Sequence, residues 1–396
     1  MKWGSKVYDS IIIGCGFAGA VIARELAEKN NKKVLIIEQR DHIGGNCYDT
    51  EDEYGILIHS YGPHIFHTND KKVYEFLSRF TKWYNYSHEV VGAVNGKELP
   101  IPFNLNTLNL VYGESEGKKL TDKLVGTYGM NSRVPILDLM NNEDEDIKAI
   151  AKFVYKNIFL KYTMKQWGQT PQEIDPAVMS RVPVLISYDN RYFQDEYQGM
   201  PLEGYTALFR NMLNHDNITV QLNRNAKDII QFSDQKNQEG KATLLFEGNP
   251  FEGDVIYTGP IEELFDGEYG QLPYRSLRFE YKHYDQDYVQ SHAVVNYTVS
   301  EKYTRITEFK YLTNQIAPKS TTIMREYPIA YTGQNGEIPY YAIVNEENQR
   351  LYQKYVTKLE GLNKFHLLGR LAEYKYYNID GIVARALDLA KHLDDR

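Results

Sequence analysis

Residues Tyr8–Glu38 read YDSIIIGCGFAGAVIARELAEKNNKKVLIIE, and this stretch decides the fold class. A short apolar strand runs into Gly14-Cys15-Gly16-Phe17-Ala18-Gly19. A helix-forming run follows, and a second strand, Val34–Ile37, ends on Glu38. Each part has a task in binding a dinucleotide. Gly14 permits the tight turn off the strand, Gly16 lets backbone approach a pyrophosphate, and Gly19 lets the helix pack closely on the sheet. The helix N-terminus offers unpaired N–H groups to phosphate. Glu38, roughly 20 residues after the glycines, is placed to accept from a ribose hydroxyl.

Outward from this unit, Arg40-Asp41-His42-Ile43-Gly44-Gly45-Asn46 supplies a second glycine pair. It lets a further loop lie flat on the dinucleotide, an arrangement that resembles FAD-binding proteins more than NAD-binding ones. The chain has 396 residues and a net charge of −8, which predicts two or three domains and points away from nucleic acid or an anionic membrane surface. No apolar run approaches the roughly 18 residues of a membrane span, and the start lacks a signal-peptide pattern. Two cysteines, Cys15 and Cys47, have neither metal nor disulfide-framework spacing, so no metal site and a reducing cytoplasm are expected. The 33 tyrosines offer flat faces and hydroxyls suited to a polar ligand.

Short β-like pieces surround Asn95-Gly96, a hairpin signal. Ile147, Ile150, Ala151, Val154 and Ile158 fall at helical spacing and predict one buried stripe. Strands are predicted at Ile218–Leu222, Thr243–Phe246 and Val255–Thr258, and again at His292–Thr298, Thr304–Phe309 and Thr321–Tyr327. The chain ends in strand, loop and amphipathic helix. The expected fold class is therefore α/β: an FAD-binding Rossmann-like domain with an inserted helical domain and an antiparallel β-sheet domain. The expected boundaries are 1–80 with about 204–262 and 345–396 for the FAD domain, 104–200 for the helical domain, and 81–103 with 263–344 for the sheet domain.

Further motifs extend over nearly the whole chain. They include Tyr61-Gly62-Pro63-His64-Ile65-Phe66-His67-Thr68, Lys161-Tyr162-Thr163-Met164-Lys165-Gln166-Trp167-Gly168 and Ser180-Arg181-Val182-Pro183. Asn190-Arg191-Tyr192-Phe193, Tyr274-Arg275-Ser276-Leu277, Ile338-Pro339-Tyr340-Tyr341 and Gly369-Arg370 through Tyr377 complete the set. Together they resemble the bacterial UDP-galactopyranose mutases. Two places depart from that family's pattern: Ala342 stands where a proline is usual, and Tyr377-Asn378-Ile379 replaces Tyr-Asp-Met.

The resemblance implies a flavin-dependent isomerase that interconverts UDP-galactopyranose and UDP-galactofuranose. The reaction would run through a covalent flavin N5–sugar C1 adduct and ring contraction, with no net redox change and FAD active when reduced. Arg181 and Arg275 would clamp the diphosphate, as a planar, permanently charged guanidinium suits that group. Tyr192, Tyr341 and Tyr376 would contact phosphate. Tyr162 would stack on uracil, with Thr163 beside it, and Trp167 would border the galactose on a segment that closes over substrate. His64 would lie against the flavin near N5, and His59 and His67 read as structural. Gly14, Gly16, Phe17, Ala18, Gly19, Glu38, Gln39, Gly45, Asn46, Arg370 and Ile379 would hold FAD. Asp380 is either flavin-facing or a plain helix cap. The implied partners are the nucleotide sugar, an unidentified reductant and a second copy of the chain. The alternatives are a mutase for an N-acetylated or 6-deoxy galactose, a flavin oxidoreductase of amines or polyenes, and a non-enzymatic FAD-binding protein. An oxidase has no use for a diphosphate clamp.

Overall fold

Ser10–Ile13 and Val34–Ile37 are buried along their whole length and pair in parallel, Ile11 opposite Leu35. Continuous apolar runs of this kind suit a parallel sheet covered on both faces. The structure is a computed structural model that describes residues 8–167, 183–236, 242–299, 301–334 and 336–394. Three more parallel strands, Ile218–Gln221, Asp254–Tyr257 and Phe365–Leu367, complete a five-stranded sheet. Numbered along the chain, its strand order is 3-2-1-4-5. The order reverses beside the first strand, and ligands of doubly wound sheets bind at such a point, beyond the strands' carboxyl ends. Gly14 follows the first strand there, and Thr258-Gly259-Pro260 follows the fourth.

The Phe17–Lys29 helix covers one face and packs on the C-terminal Ile379–Asp394 helix and on Tyr205–Leu213. Gly19 is required by space alone, since a Cβ there would lie 2.0 Å from the Gly14 carbonyl oxygen.

A seven-stranded sheet forms a second layer. Its order is Tyr341–Ala342, Tyr274–Tyr284, Thr321–Ala330, Arg305–Glu308, Val294–Asn296, Val90–Val94 and Lys97–Ile101. All neighbours are antiparallel except Val90–Val94 with Val294–Asn296. Asn95 and Gly96 both take the left-handed conformation that a two-residue hairpin turn needs. The Glu346–Lys358 helix has no counterpart among the elements expected from the sequence; the eleven-residue strand Tyr274–Tyr284 falls within the expected 263–344 sheet region, which gave it no bounds of its own.

Helices between Leu105 and Trp167 carry a separate core. The Ile147, Ile150, Ala151, Val154 and Ile158 stripe is buried within it. Asp144 caps the Glu145–Val154 helix by accepting from the Asp146 and Ile147 amides, so the acidic run before it is a solvated helix start. A π-helical turn, Tyr155–Leu160, links that helix to Lys161–Trp167. Such turns recur at functional sites; here the turn ends just before Tyr162. Among the described residues no helix is long and apolar enough to cross a membrane, and no group of His, Cys, Asp and Glu could hold a metal ion.

Candidate functional site

A cleft of about 260 Å³ opens at the carboxyl ends of the first, second and fourth parallel strands. Gly14, Gly16, Phe17, Ala18, Glu38, Gln39, Gly45 and Asn46 line it, as do His64, Arg370 and Ile379. Gly19 does not; it sits in the Phe17–Lys29 helix, against the Gly14 carbonyl of the turn. The Glu38 carboxylate accepts from the Cys15 amide (2.8 Å) and the Arg40 amide (2.9 Å), tying the glycine turn to the strand that carries it. Both oxygens retain lone pairs for a ribose. Burial and Glu38 push the Cys15 thiol up to about 12, and burial raises that of Cys47, so neither is a reactive thiolate.

Three observations fit this cleft to a dinucleotide. The Phe17–Lys29 helix starts at Gly16 with no side-chain cap. A Cβ on Gly16 would meet no protein atom nearer than 3.8 Å, that atom being the Gly45 Cα, so the protein alone does not require glycine there. Arg40 gives one guanidinium nitrogen to Asn46 Oδ1 (2.9 Å), while its buried Nη1 has no hydrogen-bond partner among the described residues. A helix end, a glycine cradle and an orphaned guanidinium donor together suit a pyrophosphate-bearing group.

A second cavity, of about 330 Å³, adjoins the first. His64, Arg370, Asn378 and Ile379 line both and form the boundary between them. His64 donates from Nδ1 to the Gly62 carbonyl (2.9 Å), which leaves Nε2 as an acceptor. Burial, with help from His59 and Arg370, pushes its pKa down to about 3, so the ring is neutral at working pH. His59 is fully buried and brought down to about 4 by burial; its Nδ1 accepts the His64 amide (3.1 Å) in a structural role. The Arg370 guanidinium stands over the Tyr376 ring at 4.6 Å and donates to the Tyr377 carbonyl.

Tyr162, Tyr192, Tyr341 and Tyr376 all line the second cavity. Burial pushes the Tyr162 phenol up to about 12 and raises that of Tyr341 further, so both remain neutral hydrogen-bond donors. The principal cation is Arg305, which the sequence reading missed. Its Nη2 donates to the Tyr162 hydroxyl (2.6 Å), and its Nε faces Glu326, which is 2% exposed, at 3.3 Å. Burial works against the Arg305 charge, but Glu326 and the surrounding phenols outweigh it and hold the guanidinium protonated.

Two other expected site residues stand apart. Arg275 does not line the cavity: its Nε donates to the Gln166 carbonyl (3.0 Å), at the carboxyl end of the Lys161–Trp167 helix. It lies opposite Tyr341 in the sheet, at the rim. Thr163 is buried and lines neither cavity. Arg181 and the side chain of Trp167 lie outside the described residues. Asp380 accepts from Thr68 Oγ1 (3.2 Å) and the Gly381 amide (2.7 Å) and lines neither cleft, so it fixes the start of the last helix. His67, read as structural, does line the second cavity, together with His88, Phe193, Asn296 and Asn378.

Comparison with known proteins follows this geometry. A family described as UDP-galactopyranose mutase matches residues 157–376, and an NAD(P)-binding Rossmann-like domain matches residues 12–80. A Mycoplasma genitalium protein named UDP-galactopyranose mutase is 37% identical, covering 98% of this chain and 95% of its own. An Escherichia coli protein named dTDP-fucopyranose mutase is 36% identical, with 96% and 97% covered. A crystal structure of reduced UDP-galactopyranose mutase superposes with a TM-score of 0.67 at 17% identity, over 98% of this chain and 96% of that one.

Proposed function

The chain belongs to the UDP-galactopyranose mutase family, and from that premise we propose that it interconverts UDP-galactopyranose and UDP-galactofuranose on reduced FAD. The junction of the two cavities carries the reading. A dinucleotide cleft opens, past a neutral histidine and Arg370, into a chamber whose described lining includes four phenols, His67, His88 and Arg305. No described residue lining that chamber is a carboxylate, and the acids nearest it, Glu326 and Asp195, are each engaged by a lining cation or histidine.

Reduced flavin supplies a nucleophilic N5 toward the anomeric carbon, and with it the proposed covalent adduct, ring opening and reclosure without net electron transfer. The protein's part is position and charge. Arg305, Tyr162, Tyr192, Tyr341 and Tyr376 receive the UDP, with Arg275 beside Tyr341 on the same sheet. Arg305 stays charged when UDP separates from the sugar, so the leaving group is held for its return. His64 offers a lone pair, not a proton, where the flavin cleft meets the sugar chamber. Gly14, Gly16, Glu38, Gln39 and Gly45 hold the dinucleotide, and Arg370 and Ile379 border the ring. We place the enzyme in the cytoplasm, as a homodimer served by a cellular reductant.

The test is product analysis. Purified protein loaded with FAD and reduced by dithionite should convert UDP-galactofuranose to UDP-galactopyranose, separated by chromatography, and the oxidised protein should not. Equal rates with oxidised and reduced flavin would remove the mechanism. Faster turnover of dTDP-fucopyranose in a parallel assay would move the substrate to the 6-deoxy sugar.

A further inference from the structure

His67 lies on the Phe66–Thr68 strand, whose alternation buries Phe66 and Thr68 and turns His67 toward the second cavity. Its Nδ1 stands 2.9 Å from Asp195 Oδ2. A carboxylate only accepts, so this nitrogen carries the hydrogen. The other Asp195 oxygen accepts from Asn69 Nδ2 (2.7 Å), which fixes the carboxylate from its far side. The ring is stacked on Phe193, with centroids 3.6 Å apart and planes 12° apart. His67 is therefore fixed in tautomer and in plane, and its Nε2, in the cavity lining, has no partner among the described residues.

Among the described groups lining the cavity, the other histidines and two of the phenols are each held in one protonation state. His64 and His88 are each pushed down to about 3, chiefly by burial. The Tyr162 and Tyr341 phenols are pushed the other way. Arg305 and Arg370 do not deprotonate. No described lining residue is an acid. His67 alone has a carboxylate behind it to balance an imidazolium, the arrangement that orients a histidine general base.

We propose that His67, held by Asp195, is a further catalytic residue that carries the proton of the ring change. The inference rests on the mutase reading above. As the C1–O5 bond opens, its electron pair goes to O5; the N5–H bond breaks as N5 becomes doubly bonded to C1, and Nε2, unprotonated at rest, takes that proton and passes it to O5. As O4 bonds to C1, the O4–H bond breaks and Nε2 carries its proton back to N5. One proton is given and one regained, and no oxidant or reductant is consumed. Asp195 is the positioning residue.

The test uses the full chain with FAD bound and reduced by dithionite, on UDP-galactofuranose. H67A should lower kcat by about 10²- to 10⁴-fold, with flavin content, KM and calorimetric UDP affinity within about threefold of wild type. Added imidazole should restore H67A at least tenfold and leave wild type unchanged. D195N should lower kcat with KM unaltered. If H67A loses its flavin, H67F, which keeps the Phe193 stack, must show the same drop in kcat. A kcat within threefold of wild type in the flavin-loaded variant overturns the proposal, as does a loss in H67A that imidazole does not rescue. Wild-type protein inactive on this substrate fails the mutase reading itself and takes the proposal with it.

Discussion

Replacing Arg305 by methionine separates its structural role from its role toward a ligand. The Arg305 side chain is a quarter exposed, while its partner Glu326 is almost sealed. Arg305 and Glu326 are cross-strand neighbours, and Thr304 also reaches Glu326. R305M therefore strands a buried carboxylate. Breaking a buried pair from one side costs about 3 kcal/mol when one partner retains some access to water. An unfolding entropy of about 2.1 cal/mol/K per residue over 396 residues converts this to a fall of about 4 °C in Tm. R305M/E326Q removes both charges and should recover most of that fall. Affinity should not recover: losing charge-assisted bonds to the diphosphate weakens UDP binding roughly 10- to 100-fold in both variants. Scanning calorimetry reads the first quantity and isothermal titration with UDP the second. UDP binding within threefold of wild type in R305M would refute the ligand role, and equal Tm values in the single and double variants would refute the burial argument.

The two motif glycines should respond differently. G16A should fold with an apo-protein Tm within about 1 °C of wild type, because its Cβ meets nothing nearer than 3.8 Å, yet bind FAD at least tenfold more weakly; FAD titration decides, and unchanged affinity would detach Gly16 from the cofactor. G19A, with its Cβ 2.0 Å from the Gly14 carbonyl, should fail to give soluble protein. Glu262 offers a pH test. Burial raises its carboxyl from 4.5 to about 7, so the folded chain holds a proton that the unfolded chain has released. Its contribution is complete below pH 4.5 and is lost as pH rises through 7, by about 3 kcal/mol in all. E262Q keeps an acceptor for the Tyr274 hydroxyl (3.3 Å) and should gain on wild type between pH 4.5 and 8. A stability difference that stays constant over that range would sink the argument.

What the sequence made legible was local. The strand–glycine–helix unit could be read because its glycines act within one turn, and the 147–158 stripe because burial repeats at helical spacing. The Glu346–Lys358 helix escaped because it buries little beyond Asn348 and Tyr355 and so carries almost no periodic signal. Arginine roles were least legible. Arg275 and Arg305 both lie on strands of the same sheet. Which one faces the cavity is set by register against Tyr341 in one case and Glu326 in the other. Arg305 also meets Tyr162 across 143 positions of chain. A buried glutamate within Thr321–Ala330 was the one available hint of a partner. The place of His67 on the cavity wall was hidden for a similar reason: its companion Asp195 is 128 residues away, and the Phe66–Thr68 pairing with Tyr197–Pro201 brings them together.

The FAD cleft takes its walls from both ends of the chain, Gly14 to Asn46 on one side and Gly369 to Ile382 on the other. A ligand lying between them acts as a non-covalent staple across more than 300 residues. During synthesis the first strands and their helix emerge long before Phe365–Leu367 and Ile379–Asp394 exist to close the sheet and cover its face. FAD capture is then a late event, available only once the Ile379–Asp394 helix has been made. Nicking the last helix should release cofactor without touching a single glycine of the turn, and saturating FAD should in return protect that helix from proteases.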